Sequence, residues 1–230
     1  MKHNFIRIVF FLFVTSIFAQ ADKVSVLNDD DGMKLVVNGE HFMINGMNWD
    51  YFPIGTNYSY SLWKQSDDVI KAALDAEMGL LKNMGVNVIR QYTGIQPKWI
   101  QYIYENYGIF TMLNHSFGRY GLTVNGAWEV VTDYRDPATQ ALLMSEATKM
   151  AQNYKDTPGL LMFLLGNENN YGLFWAGAET EDFPDEAEKI AFIGEERGRP
   201  MYKLMNDASI KMKTIDRSHP IAICNGDVLF

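Results

Sequence analysis

The run Leu164-Leu165-Gly166-Asn167-Glu168-Asn169-Asn170 sets one carboxylate, flanked by amides, at the end of a wholly apolar stretch. A side chain at a strand end is held by its sheet, so the carboxyl is aimed rather than loose. Beside apolar and aromatic groups a glutamate is desolvated and its pKa rises, as a general acid working near neutral pH requires. The residues alone leave a second reading open, in which Glu168 caps the next helix or pairs with an arginine. Arg90, just past the apolar run Val86–Ile89, raises the same question, because a guanidinium at a buried strand end needs an acidic partner. Trp49, Tyr51, Tyr92, His115, Tyr171, Phe174 and Trp175 also follow apolar runs. Aromatic faces stack on the C–H faces of sugars, though each ring serves equally to pack its own loop. Asp50 suits a hydroxyl ligand or a turn cap, and His115 a hydrogen bond to a ligand. No metal is expected: the histidines are scattered, and there is no His-Glu-x-x-His or Cys-x-x-Cys. Nor is there a Gly-x-Gly-x-x-Gly after a strand or a Gly-x-Ser-x-Gly elbow, so neither a dinucleotide cofactor nor a serine nucleophile is expected.

The elements that must position these groups alternate. Val24–Val26 and Leu35–Val37 read as short strands, and Asn38-Gly39 as a hairpin turn leading to a first core strand at Phe42–Ile44. Ser66-Asp67-Asp68 caps a helix to about Met84, and Val86–Ile89 is the next strand. Pro97 starts a helix that Gly108 ends; Ile109–Leu113 follows as a strand, then a long polar loop. Asp136-Pro137 opens a helix to Tyr154, before the strand Leu160–Leu165. A second long loop, a helix ending near Lys213 and the run Ile221–Cys224 complete the pattern. Strands apolar on both faces, each separated by a helix, predict a parallel sheet covered by helices. The longest loops follow the third and fourth strands, at the end where a (β/α)8 barrel carries its active site.

Residues 1–21, with Lys2 and Arg7 around the apolar run Ile8–Phe18 and Ala19-Gln20-Ala21 at the end, read as a cleaved signal peptide. The expected product is secreted or periplasmic, with no membrane insertion after cleavage. Removing these residues takes the formal net charge from −8 to −10, a balance that opposes nucleic-acid binding and suits a neutral substrate. The single Cys224 cannot form an intrachain disulfide and reads as a buried spacer.

Three motifs resemble a known family. Val37-Asn38-Gly39-Glu40-His41-Phe42-Met43-Ile44-Asn45-Gly46-Met47-Asn48 is similar to the entry into clan A glycoside hydrolase barrels. Gly85-Val86-Asn87-Val88-Ile89-Arg90 is similar to their second strand, and Gly166-Asn167-Glu168 to their fourth. The order and spacing also match, most nearly those of the barrel domain of glycoside hydrolase family 2, with the β-glucanosyltransferases as neighbours. The resemblance implies a retaining hydrolase of a poly- or oligosaccharide. Glu168 would be the acid/base, Asn167 would hold the sugar 2-hydroxyl, and Arg90 would orient a nucleophilic glutamate at the end of strand seven. Asp50, Tyr92, His115, Asn169, Tyr171 and Trp175 would contact the sugar. The expected organisation is a hairpin over 22–41 and a partial barrel over 42–230. The latter's 189 residues, against roughly 250 in a full barrel, hold about five of eight units. Glu105, Glu129, Glu146, Glu179, Glu181, Glu195 and Glu196 read as helix or loop residues, none ending a strand. On that reading the nucleophile lies beyond residue 230 and the chain alone is inactive. Three alternatives are a transglycosylase, a non-catalytic carbohydrate-binding protein on a degenerate barrel, and a phosphate-handling barrel enzyme. The Asn167-Glu168 pair speaks against the last.

Overall fold

The computed structural model describes residues 21–175 and 185–226. The proposed signal peptide thus lies outside the described residues, apart from Ala21. The described chain opens with three antiparallel strands, β1 (Val24–Asp29), β2 (Gly32–Val37) and β3 (Glu40–His41). The β2–β3 turn takes Asn38 and Gly39 to φ 51 and 92, the left-handed region that this pair tolerates.

Five parallel strands form the main sheet: β4 (Gly46–Asn48), β5 (Val88–Tyr92), β6 (Phe110–His115), β9 (Leu160–Leu165) and β10 (Ile221–Ile223). They lie side by side in chain order, with β4 and β10 at the edges. Helix α1 (Asp67–Asn83) joins β4 to β5, α2 (Pro97–Tyr107) joins β5 to β6, and α3 (Pro137–Tyr154) precedes β9. Between β9 and β10 run α4 (Asn169–Trp175), α5 (Glu186–Ile193), a π-helical turn at Gly194–Gly198 and α6 (Arg199–Lys213). Asp136 caps α3 by accepting from Thr139 N at 2.7 Å. Ser66 precedes α1 without a side-chain cap bond, so Asp67 and Asp68 supply the favourable charge at that terminus.

The first core strand differs from expectation. Phe42–Ile44 is not a strand: Phe42 packs edge-on to Phe110 at 5.3 Å, while Met43 is 85% exposed. Two asparagines impose the shift. Asn87 Nδ2 donates to Met43 O at 2.8 Å, and Asn45 Nδ2 donates to Gly85 O at 2.7 Å. Asn45 N reaches Asn87 Oδ1 at 2.8 Å, and Asn87 N reaches Asn45 O at 3.0 Å. These exchanges consume the backbone groups of 43–45 and start β4 at Gly46. There a Cβ would lie 3.3 Å from Val88 O, so glycine permits the close approach.

A second difference lies in the loop after β6, which contains a hairpin, β7 (Leu122–Val124) and β8 (Ala127–Glu129). Its turn is again Asn-Gly, with Asn125 at φ 51 and Gly126 at φ 84. Glu129 therefore ends a strand, though not one of the parallel sheet.

Alternation along the strands divides the interior. Ile89, Leu113, Phe163 and Leu165 pack against the helices. Val88, Phe110, Met162 and Leu164 form a separate inner cluster with Val24 and Val37 of the N-terminal sheet. That sheet is latched by Asp22, which is 4% exposed and accepts from Asn38 Nδ2 at 2.7 Å and Gly159 N at 3.0 Å. Val24 N also donates to Ser218 O at 2.7 Å.

The turn into β10 is organised by a buried pair. His219 Nδ1 lies 2.7 Å from Asp216 Oδ2, and Asp216 Oδ1 accepts from Ser218 N at 2.8 Å. Burial alone would push the Asp216 carboxyl up, but the His219 ring and the Ser218 and His219 N–H groups hold it below the usual carboxylate range. A depressed carboxyl stabilises the fold above its unfolded pKa of about 3.9 and loses that contribution as pH falls through the lower folded value. Asp216→Asn should therefore lower stability at neutral pH by about 1–3 kcal/mol. It should also flatten the loss of stability below about pH 4. Thermal melts of both proteins from pH 3 to 7 check this; parallel curves would show that the pair contributes nothing.

Candidate functional site

The carboxyl ends of the parallel strands bring Arg90, Asn114 and Asn167 together. Arg90 is on the inner face of β5, two residues from Val88, by the same alternation that sends Ile89 to the helices. Its Nε donates to Asn114 Oδ1 at 2.8 Å, and one terminal nitrogen donates both to Asn114 Oδ1 and to Asn167 Oδ1, the latter at 2.7 Å. The partners are amides, not the acid expected from sequence. Asn114 is fully buried and also donates from Nδ2 to Gly166 O at 3.0 Å. One asparagine thus holds both the guanidinium and the backbone that leads to Glu168. No sequence motif singled it out.

The turn after β9 is built for its residues. Gly166 has φ 80, and a Cβ there would meet Asn169 Oδ1 at 2.7 Å. Glu168 has φ 57, a conformation that non-glycine residues adopt at a cost of roughly 1 kcal/mol. Glu168 N donates to Cys224 O at 2.7 Å, and Tyr171 N donates to Glu168 O at 3.0 Å, which pins the strained residue from both sides. The Glu168 side chain is exposed. The described residues therefore do not supply the apolar enclosure expected around it.

Asn167 Nδ2 donates to Tyr120 OH at 2.6 Å while Oδ1 takes Arg90, so the amide is oriented from two sides. Tyr120 is a second site residue that the sequence reading passed over. Tyr92 has the Arg90 guanidinium 5.3 Å over its ring. Burial pushes its hydroxyl up, the Arg90 charge opposes this, and Tyr120, Cys224 and Glu168 are close enough to add to it. The Cys224 thiol is also in the mouth, 3.9 Å from Asn114 Oδ1. Burial pushes its thiol up, with the Arg90 charge opposing, as suits a partly buried side chain that fills space.

Several other expected contacts are bonded within the protein. His115 is on the helix-facing side of β6, one residue out of step with Asn114. Its Nδ1 accepts from Phe117 N at 3.1 Å, and its Nε2 is 3.2 Å from Glu146 Oε2 on α3, so both ring nitrogens are engaged. The His115 contact holds the Glu146 carboxyl below its ordinary range. Asn169 is 3% exposed and acts inside the protein. It accepts from Asn167 N at 2.7 Å and donates to Phe117 O and Tyr134 OH, each at 2.9 Å. Burial pushes the Tyr134 hydroxyl up to about 12 against the opposing Asn169 bond and Arg119 charge. Tyr171 donates to Gly226 O at 2.6 Å, and Asp50 accepts from its neighbour Tyr51 N at 2.8 Å as a turn cap does. Trp49 is 6% exposed and packs on Trp63. Trp175 ends α4; its side chain and that of Phe174 lie outside the described residues, as do Glu179 and Glu181.

A cavity of about 210 Å³ is lined by Arg119, Asp133, Arg135 and Glu196 among others. It contains none of the residues Arg90, Asn167 or Glu168. No group of three or more His, Cys, Asp or Glu that could hold a metal occurs among the described residues, and none of their helices is long and apolar enough to cross a membrane.

Removing the Asn114 amide should cost about 2–4 kcal/mol, because it strands a half-buried guanidinium and a buried carbonyl. Asn114→Ala should also speed the reaction of Cys224, the single thiol, with a disulfide reagent, since it opens the space beside the sulfur. An unchanged melting temperature and thiol rate would show that Asn114 holds nothing in place.

No family model matches the sequence, and no curated protein matches it. Solved structures do match. Bacteroides uniformis β-glucuronidase 2, covalently bound to cyclophellitol-6-carboxylate aziridine, aligns at TM-score 0.55 and 13% identity, over 88% of this chain and 20% of its own. Parabacteroides merdae β-glucuronidase aligns at TM-score 0.50 and 19% identity, over 87% and 20%. The Amycolatopsis orientalis exo-chitosanase aligns at TM-score 0.50 and 20% identity, over 87% and 19%. The chain spans about a fifth of the length of these structures. At these identities the likeness is one of fold: the described chain has the fold of part of these structures.

Proposed function

We propose that the chain carries the first five units of a (β/α)8 glycoside hydrolase barrel. It would cleave O-glycosidic bonds of a neutral poly- or oligosaccharide with retention, and Glu168 would be its general acid/base. The observation that carries this reading is the bond from Arg90 to Asn167 Oδ1 at 2.7 Å. It ties the residue before Glu168 to the second strand of the sheet, so that a carboxyl, an amide and a cation share one mouth. Glu168 would protonate the glycosidic oxygen as the bond breaks and then take a proton from the attacking water. Asn167 keeps a spare N–H and a spare lone pair for the sugar 2-hydroxyl. Arg90, bonded among the described residues to neutral amides, keeps its charge available to orient a carboxylate.

Retention needs a second carboxyl roughly 5–5.5 Å from the first. Among the described residues Glu105 and Glu146 are in helices, Glu195 and Glu196 in the π-helical turn, and Glu129 in the hairpin. None ends a strand of the parallel sheet, so the nucleophile is assigned to strands outside this set. The signal-like segment 1–21 fits an exported enzyme whose only partner is carbohydrate, with no nucleic acid, cofactor or metal. The exposure of Glu168 favours a second reading, a protein that holds a glycan without cleaving it.

The test is Glu168→Ala in the full protein with a glycoside bearing a poor leaving group. Turnover should fall by about 10²–10⁴-fold. Azide should restore part of it with an activated substrate. Unchanged turnover rules out the assignment, and glycan binding by a parent without turnover supports the second reading.

A further inference from the structure

The hairpin in the loop after β6 carries an indole that the core does not use. Trp128, in β8, is 60% exposed, and its cross-strand neighbour is the exposed Thr123. The six-membered part of its ring lies against Gly121, where a Cβ would come within 2.7 Å of Cζ2. Gly121 has φ 86, so glycine is required there on two counts, and its backbone supports one edge of the indole. The preceding residue is Tyr120, 58% exposed, whose hydroxyl accepts from Asn167 at 2.6 Å. An unbroken series of contacts therefore runs from the exposed indole through Gly121 and Tyr120 to Asn167, next to Glu168.

Two exposed rings held by backbone and by a hydrogen bond are surfaces already in place for a ligand to cover. Polar groups are mixed among the rings and the exposed Val130 and Val131: Thr123 stands across from Trp128, and the Tyr120 hydroxyl keeps a proton to donate. That mixture suits a sugar, which offers a C–H face to a ring and hydroxyls to its rim. We propose that Tyr120 and Trp128 form an outer subsite for a glycan, so that the ligand is a chain of several sugars extending from the mouth rather than a single terminal sugar. This deepens the glycosidase reading and depends on it for the choice of ligand.

The test is migration of the chain in native gels cast with soluble neutral polysaccharides: a mixed-linkage β-glucan, a galactomannan and a xyloglucan. At least one polymer should retard the parent. Trp128→Ala should weaken that retardation on the order of tenfold, and Trp128→Phe should keep most of it. Matching melting temperatures establish that the variants are folded. Retardation by no polymer, or equal retardation of Trp128→Ala and parent, overturns the proposal. So does self-association that Trp128→Ala abolishes without any polymer effect, because the ring then serves a protein contact. The two readings fail separately. Retardation that depends on Trp128, with turnover indifferent to Glu168→Ala, removes the acid/base and leaves the subsite. Turnover lost in Glu168→Ala with no retardation does the reverse.

Discussion

The mouth of this fold depends on where one cation finds its acceptors. Arg90 sits on the inner side of β5, where a guanidinium must be satisfied in several directions at once, and two amide oxygens meet that need. Both belong to other strands or their ends: Asn114 to β6 and Asn167 to the turn after β9. The guanidinium thereby sets the lateral positions of three strand ends, and the left-handed backbone at Glu168 is tolerated because its neighbours are fixed. Amides rather than carboxylates as partners leave the positive charge unneutralised within the described residues. That arrangement makes little sense as a stabilising device alone, since a buried ion pair or an apolar side chain would serve the fold as well.

The division of labour across the sheet explains why chemistry collects at one end. Side chains facing the helices are mostly apolar and form the larger core. Those facing inward are apolar near the start of each strand and polar near its finish: Val88 gives way to Arg90 and Tyr92, Phe110 to Asn114, Leu164 to the turn holding Asn167. The N-terminal sheet packs against the apolar part through Val24 and Val37. The inward-facing polar groups thus gather at the carboxyl ends of the strands, where Arg90 and Asn167 bind the buried Asn114 or each other.

Much of this was legible from residue patterns, because it rests on local signals. The apolar run Leu160–Leu165, the cap at Asp136 and the end of α6 at Lys213 each follow from propensity or capping at the position itself. Parity was not legible at β6. His115 and Asn114 are adjacent, and only the pairing with β5 and β9 decides which of them faces the mouth. The first core strand was misplaced because Phe42–Ile44 is the more apolar stretch, whereas the asparagine exchange between residues 45 and 87 is a long-range contact. The hairpin over residues 122–129 carries a legible signal: its Asn125-Gly126 turn repeats the one that locates Asn38-Gly39, and Leu122–Val124 and Ala127–Glu129 flank it. Tyr120 could not have been found, since its role comes from a bond to a residue 47 positions away.

The latch at Asp22 has a practical consequence for attachment. Asp22 grips Gly159, at the foot of β9, whereas Glu168 stands beyond its tip. At about 3.3 Å per residue, the six residues between foot and tip separate the two by roughly 20 Å of rigid strand. A linker, affinity handle or surface anchor joined ahead of Asp22 would leave the molecule from the side opposite the mouth. Immobilisation through that end would orient every copy with its strand tips toward the solution.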